Sequence, residues 1–152
     1  MEGIKVTITC LFLAFTAYTV TAQKWREIVP LKSTRVTVER LLGANEQSDG
    51  VVYELEDANT SVVYSSGPCT PEKPRGWNVP KDTVVSFTVA PKMKPRLADL
   101  KLDLRKFKRT KEPGNIVYYS NEKTGVSFEV QDGFLIITFY NPPAKYSHLY
   151  CE

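Results

Sequence analysis

The chain has 152 residues, 42% of them hydrophobic and 24% charged, with a formal net charge of +3. That length suits one ordinary domain or two very small ones, and that composition excludes a disordered tail and a bundle of membrane spans. The charge is too small to point to nucleic acid, and a single histidine with three cysteines weakens most metal-site and histidine-dependent catalytic chemistry.

Residues 1–22 read as a secretory signal peptide. Lys5 supplies the positive start, an apolar run extends from Val6 to Val20, and Val20, Thr21 and Ala22 are the small residues a signal peptidase reads before Gln23. The run is shorter than the roughly 20 residues that span a bilayer. Cys10 falls inside this peptide, close behind Lys5, so it reads as removed rather than lipid-bearing. Cys69 and Cys151 remain. Two cysteines in a secreted or periplasmic chain predict one disulfide. Its loop of roughly 80 residues is worth roughly 4 to 5 kcal/mol in the chain-entropy model.

The spacing predicts a short helix over 33–43. Ser33 or Thr34 caps it, Val38, Leu41 and Leu42 share one face, and Gly43 stops it. Strand patterns follow at 51–56, 61–65 and 83–89, with Val51, Tyr53 and Leu55 on one face of the first and Val85, Phe87 and Val89 on one face of the third. The second half repeats this order. Leu100, Leu104 and Phe107 have helical spacing, Pro113, Gly114 and Asn115 form a break, and strands are predicted at 116–119, 126–130 and 134–140. Asp132-Gly133 is the strongest hairpin signal in the chain.

Tyr53 and Val63 are spaced as Tyr118 and Phe128 are, and both pairs, like Leu42 and Phe107, are offset by 65 positions. The third strands are offset by 52, with Phe87 matching Phe139, and the shortfall equals the length of a 68–80 insertion. The predicted fold is therefore α+β: a signal peptide over 1–22, then two tandem units over 23–92 and 93–152. Each unit is a short helix followed by a three-stranded antiparallel meander, and the two meanders can join into one continuous sheet.

The stretch Ser-Thr-x-x-x-Val-Glu-x-Leu-Leu-Gly at 33–43, followed by a tyrosine-containing strand, resembles the opening of the SmpA/OmlA-type domain of small envelope lipoproteins. Two such units in tandem are similar to the beta-lactamase inhibitory protein architecture. The chain from Gln23 onward also resembles uncharacterised secreted bacterial proteins carrying a Gly-Pro-Cys and a Gly-Trp-Asn-Val-Pro loop, here Gly67-Pro68-Cys69 and Gly76-Trp77-Asn78-Val79-Pro80. The resemblance implies an envelope or extracellular role, with outer-membrane assembly or enzyme inhibition as the known themes.

Candidate chemistry is sparse. His148 and Cys151 lie three apart, but an exported cysteine pair favours the bond over a thiolate dyad. Zinc normally takes four Cys or His ligands, and only three such residues follow the signal peptide, so no metal or other cofactor is expected. Glu54 and Glu56 share a strand face, a spacing that suits calcium or an acid/base pair and also suits a solvated strand. A serine-hydrolase elbow and a phosphate-cradling glycine loop are both missing from the sequence.

Two stretches stand out as binding candidates. Residues 92–111 carry nine basic residues against Asp99 and Asp103, and Arg105, Lys106, Lys108 and Arg109 are the densest part. Such a run suits an anionic envelope component or an acidic partner, or is simply a solvated face. Only Phe107 is aromatic there, which argues against a nucleic-acid platform. The proline-rich 68–80 loop carries Trp77, which either closes the core edge or anchors a protein partner. The resulting expectation is an exported non-enzymatic binding or structural protein with no transmembrane segment after cleavage. The alternatives are an inhibitor of a secreted enzyme or a small secreted hydrolase.

Overall fold

The computed structural model describes residues 24–44 and 51–152. The signal peptide expected over 1–22 lies outside the described residues. Among the described residues the elements are one helix, α1 (Arg35–Leu42), and nine strands in chain order: β1 (Val51–Glu54), β2 (Ala58–Tyr64), β3 (Gly76–Trp77), β4 (Val84–Pro91), β5 (Lys108–Glu112), β6 (Ile116–Asn121), β7 (Val126–Gln131), β8 (Phe134–Tyr140) and β9 (Tyr150–Cys151). Seven form one antiparallel sheet in the order β1-β2-β4-β8-β7-β6-β5, and β3 pairs with β9 in a separate ribbon. The α+β class and the continuous sheet are as the sequence predicts.

Local chemistry accounts for the boundaries. Thr34 caps α1, its hydroxyl accepting a hydrogen bond from the Thr37 N–H. Gly43, at φ 101°, ends the helix by donating its N–H to the Glu39 carbonyl. Asp132 and Gly133 both take positive φ, as a type I′ turn between β7 and β8 requires. Gly125 closes the β6–β7 turn at φ +71°, and a Cβ there would collide with the Asn141 carbonyl, so only glycine fits.

Side chains form rows across the sheet. One row on the core face runs Tyr53, Thr60, Val89, Thr138, Phe128, Tyr119, strand by strand from β1 to β6. The next runs Val51, Val62, Phe87, Tyr140, Val126. Phe87 and Tyr140 stack with ring centroids 4.4 Å apart. Val38 of α1 and Ile28 of the segment before it are fully buried against this second row. Phe128 packs between Tyr119 and Phe107 in a smaller cluster under the segment before β5.

The two-unit helix–meander repeat is not what the chain builds. Residues 97–107 are not an α-helix. They form two 3-10 turns, Leu97–Leu100 and Leu104–Lys106, separated by Lys101 in the left-handed conformation. The reason is the position of Leu102. A helix would point it away from Leu100 and Leu104, whereas the irregular strap packs Leu97, Leu100, Leu102, Leu104 and Phe107 all against the same cluster. The second half also has a fourth strand, β5, which the sequence reading missed because all five of its residues are exposed.

The residue equivalences of the repeat fail as well. Tyr53 is buried, but Tyr118 faces the other side of the sheet, donating its hydroxyl to Glu129 at 2.7 Å, and Tyr119 is the buried one. Val63 is 46% exposed whereas Phe128 is buried. Phe87 is buried whereas Phe139 is only partly so, and it is Tyr140, paired with Phe87 across β4 and β8, that takes the core face. Each error falls on a pair of adjacent apolar residues, where alternation cannot say which one faces inward. Val85 is misassigned for a different reason: a bulge opposite Val63 and Tyr64 lets Val84 take the core position.

Candidate functional site

The sheet's core face is covered twice, by residues 25–42 on one side and by the 97–107 strap on the other. Between the two covers lies an apolar cleft of about 450 Å³. Val89, Leu135, Thr138 and Tyr140 of the central strands β4 and β8 line its floor, and Trp25 and Leu100, one from each cover, line its sides. Its lip carries Glu56 and Asp57 after β1, and Lys92, Met93 and Lys94 after β4. The volume falls within the usual range for small-molecule sites, and the mostly apolar lining with a few polar groups is their usual chemistry.

The lip is organised by charge. Arg26 grips Asp57 through two hydrogen bonds of 2.7 and 2.8 Å while its guanidinium lies 4.9 Å from the centre of the Trp25 ring. This pair holds Trp25 against Phe87, centroids 6.4 Å apart, and neutralises one of the two acidic groups at the lip. Met93 stands 87% exposed between two lysines, on a segment bounded by Pro91 and Pro95.

Two floor hydroxyls are unspent. Thr138 is 5% exposed and Tyr140 3% as whole residues, but their hydroxyl oxygens, which make no hydrogen bond to the described residues, open to solvent; the buried side-chain oxygen without a partner among the described residues is Thr60 Oγ1. Burial pushes the Tyr140 phenol up to about 12, so it is a protonated donor at neutral pH. Both residues line the open cleft, where their hydroxyls are available to water or to a ligand.

Of the residues singled out from sequence, Glu56 and two lysines of the basic stretch, Lys92 and Lys94, stand at the cleft lip, and the others lie elsewhere. Cys69 and Cys151 stand at bonding distance with Cα atoms 6.6 Å apart, and β3 and β9 pair beside them. Trp77 is half-buried in that ribbon, edge-on to Tyr150 at 5.3 Å. It lies outside the main sheet's two core clusters and stays partly exposed beside the exposed Tyr150. His148 is exposed near the same end, its Nδ1 3.1 Å from the Lys145 carbonyl.

The basic stretch is one surface only in part, Lys106 and Lys108 lining a common groove with Lys123. Arg105 and Lys106 both turn to Asp103, at 2.9 and 3.8 Å, and the Arg105 hydrogen bond holds the Asp103 carboxyl below its usual range. Lys108 and Arg109 are consecutive in β5 and so project to opposite faces. Exposed charges on this strand keep an open sheet edge from pairing with another chain. Glu54 and Glu56 do not converge either, because β1 ends at Glu54 and Glu56 lies in the following turn, at the cleft lip. No group of three or more potential metal-ligating side chains gathers among the described residues, and no helix there is long and apolar enough to cross a membrane.

The floor and sides of the cleft escaped the sequence reading as a site. Trp25 and Leu100 come from covers far apart in the chain, and Thr138 reads as an ordinary strand residue. The one signal was Pro91-Lys92-Met93-Lys94-Pro95, where prolines hold an exposed methionine outside any regular element. No protein-family model, no curated protein and no solved structure matches the chain.

Proposed function

We propose that the chain is an exported, non-enzymatic binding protein whose ligand enters the cleft between the two covers of the sheet. The observation that carries the reading is the cleft itself: apolar sides and floor, with two hydroxyls open to it. Export is supported by the signal-peptide pattern over 1–22 and by the cysteine pair, which suits a secreted or periplasmic setting. The likeness of 33–43 to the SmpA/OmlA-type opening is in keeping with the bacterial envelope. The lining offers no histidine, cysteine or serine to act as base or nucleophile. Of its two carboxylates, Asp57 is bound to Arg26, so the paired free carboxylates of a glycosidase are lacking there.

Titration with a neutral environment-sensitive naphthalene ketone dye tests this. The expected result is saturable one-to-one uptake with a blue-shifted emission. Leu100→Trp, which fills the cleft from the half-buried strap, should weaken uptake at least tenfold while leaving the far-UV circular dichroism unchanged. A dye that finds no saturable site, or one indifferent to Leu100→Trp, overturns the proposal.

A further inference from the structure

The proposed binding role leaves the ligand's chemistry open, and three features of the cleft narrow it. The first is the pair of cleft-lining hydroxyls of Thr138 and Tyr140, which make no hydrogen bond to the described residues and are open to a ligand. Both are able to donate, and a ligand atom that satisfies both is an oxygen acceptor. The second is the charge of the lining and of the groups that touch it. Lys92 and Lys94 stand at the lip, Arg26 is spent on Asp57, and Glu56 is the remaining acid, so the balance is positive. The third is the apolar surface of Trp25, Val89, Leu100 and Leu135, which exceeds what a small polar anion would cover.

Together these describe one kind of occupant. We propose that the cleft takes a single-chain carboxylate, a fatty acid or an arylalkyl acid, whose carboxylate accepts from the Thr138 and Tyr140 hydroxyls within reach of Lys92 and Lys94 and whose hydrocarbon body lies against Trp25, Leu100 and Leu135. Charge-assisted hydrogen bonds to a carboxylate are roughly twice as strong as neutral ones, so the hydroxyl pair selects the anion over an alcohol of the same length. Exposed Met93, unbranched and polarizable, is suited to closing over chains of differing shape. The inference rests on the binding role proposed above and adds the class of ligand.

Displacement of the bound dye by three probes of equal chain length tests it: dodecanoate, dodecanol and dodecyltrimethylammonium. Dodecanoate should displace the dye roughly tenfold more tightly than either of the others. Thr138→Val is nearly isosteric and removes a hydroxyl without a partner, so it should melt at or above the parent temperature while losing most of that preference. Lys92→Glu with Lys94→Glu, both at exposed positions, should reverse the order of the two charged probes. Equal displacement by all three, or preference for the cation, overturns the carboxylate inference and leaves the cleft as a binding site. Persistence of the dodecanoate preference in both variants also overturns it. Failure of the dye to bind at all removes the binding role itself, and this ligand assignment with it.

Discussion

The two halves of the sheet are covered by different means, and the difference explains where the cleft lies. Over β1, β2 and β4 sit a capped α-helix and a preceding segment that bury Val38 and Ile28 completely. Over β5, β6 and β7 sits a strap of two 3-10 turns whose five apolar side chains are all only partly buried. A helix presents a continuous stripe and seals the face beneath it, whereas a strap covers by individual side chains and seals less. Central strands β4 and β8 lie where the two covers meet, and there Thr138 and Val89 remain accessible to a ligand. The halves also exchange core residues: Val126 and Tyr140, from the second half, complete the first half's cluster. Two meanders thus act as one domain with unequal lids.

The disulfide gives the largest expected effect on that arrangement. Cys69 sits in the loop inserted into the first half and Cys151 at the end of the second, 82 positions apart. Cys69→Ala with Cys151→Ala should lower unfolding free energy by about 4 to 5 kcal/mol on the chain-entropy model. Urea denaturation with and without reductant checks this. A loss under about 1 kcal/mol would mean that the β3–β9 ribbon and the core already tie the halves together.

Core truncation separates the two faces of the sheet. Phe87→Ala and Phe128→Ala should each cost about 3 to 5 kcal/mol, because each leaves a cavity in a closed core. Phe139→Ala, one residue before Tyr140 and on the opposite face, should cost about 1 kcal/mol or less. Equal losses at Phe87 and Phe139 would restore the equivalence that the repeat predicts and would require a cover on the outer face.

How much of this was legible follows from the same residues. Single alternations such as Val51 and Tyr53, or Val126, Phe128 and Val130, fixed both strand and face, and Thr34, Gly43 and Asp132-Gly133 marked their caps and turn by local chemistry. The doublets Val62-Val63, Tyr118-Tyr119 and Phe139-Tyr140 did not, since one step along a strand flips the face and either choice satisfies the pattern. The strap failed because Leu100, Leu104 and Phe107 match helical spacing while Leu102 carries the contrary signal. β5 has no apolar residue to betray it. Of the cleft lining, Glu56, Lys92 and Lys94 stood out in the sequence, while the cysteine pair, legible there too, lies outside the cleft. The cleft depends on Trp25 and Leu100 meeting across β4 and β8, and no local pattern encodes that meeting.

Alkaline titration probes Tyr140, the second-half residue buried in the first half's cluster. Tyr140 ionises near 10 when unfolded and at about 12 when folded, the rise being caused by burial. Below pH 10 the phenol is protonated in both states and costs nothing. As pH rises from about 10 to 12, the unfolded state gives up its proton first, so native stability falls across that window. A rise of that size sets the upper limit of the loss at about 2 to 3 kcal/mol. Tyr64 is raised by burial too and adds to the slope, so Tyr140→Phe should flatten it in part rather than abolish it. Stability measured by urea between pH 9 and 11.5 (roughly the span of this window) reads the difference, and an identical slope in the variant would mean that burial does not hold the Tyr140 phenol up.

The smallest effect bears most directly on the contrast between helix and strap. In an α-helix over 97–107, Leu102 would lie on the far side from Leu100 and Leu104, and Leu102→Ala would be neutral or slightly favourable, alanine being the better helix former. In the strap, Leu102 packs on the cluster with Leu97, Leu100 and Leu104. Its side chain is half-buried, so its removal should cost about 1 to 2 kcal/mol, less than a full core leucine. Lys101→Gly sharpens the distinction, because its backbone sits at φ 50°, where glycine is unstrained. That change should raise stability by up to about 1 kcal/mol in the strap and lower it by about as much in a helix interior. The two substitutions therefore move in opposite directions, and each reverses sign if the second cover is helical. A loss at Leu102 with a gain at Lys101 would leave the strap as the reason the second lid is incomplete and the cleft beside it open.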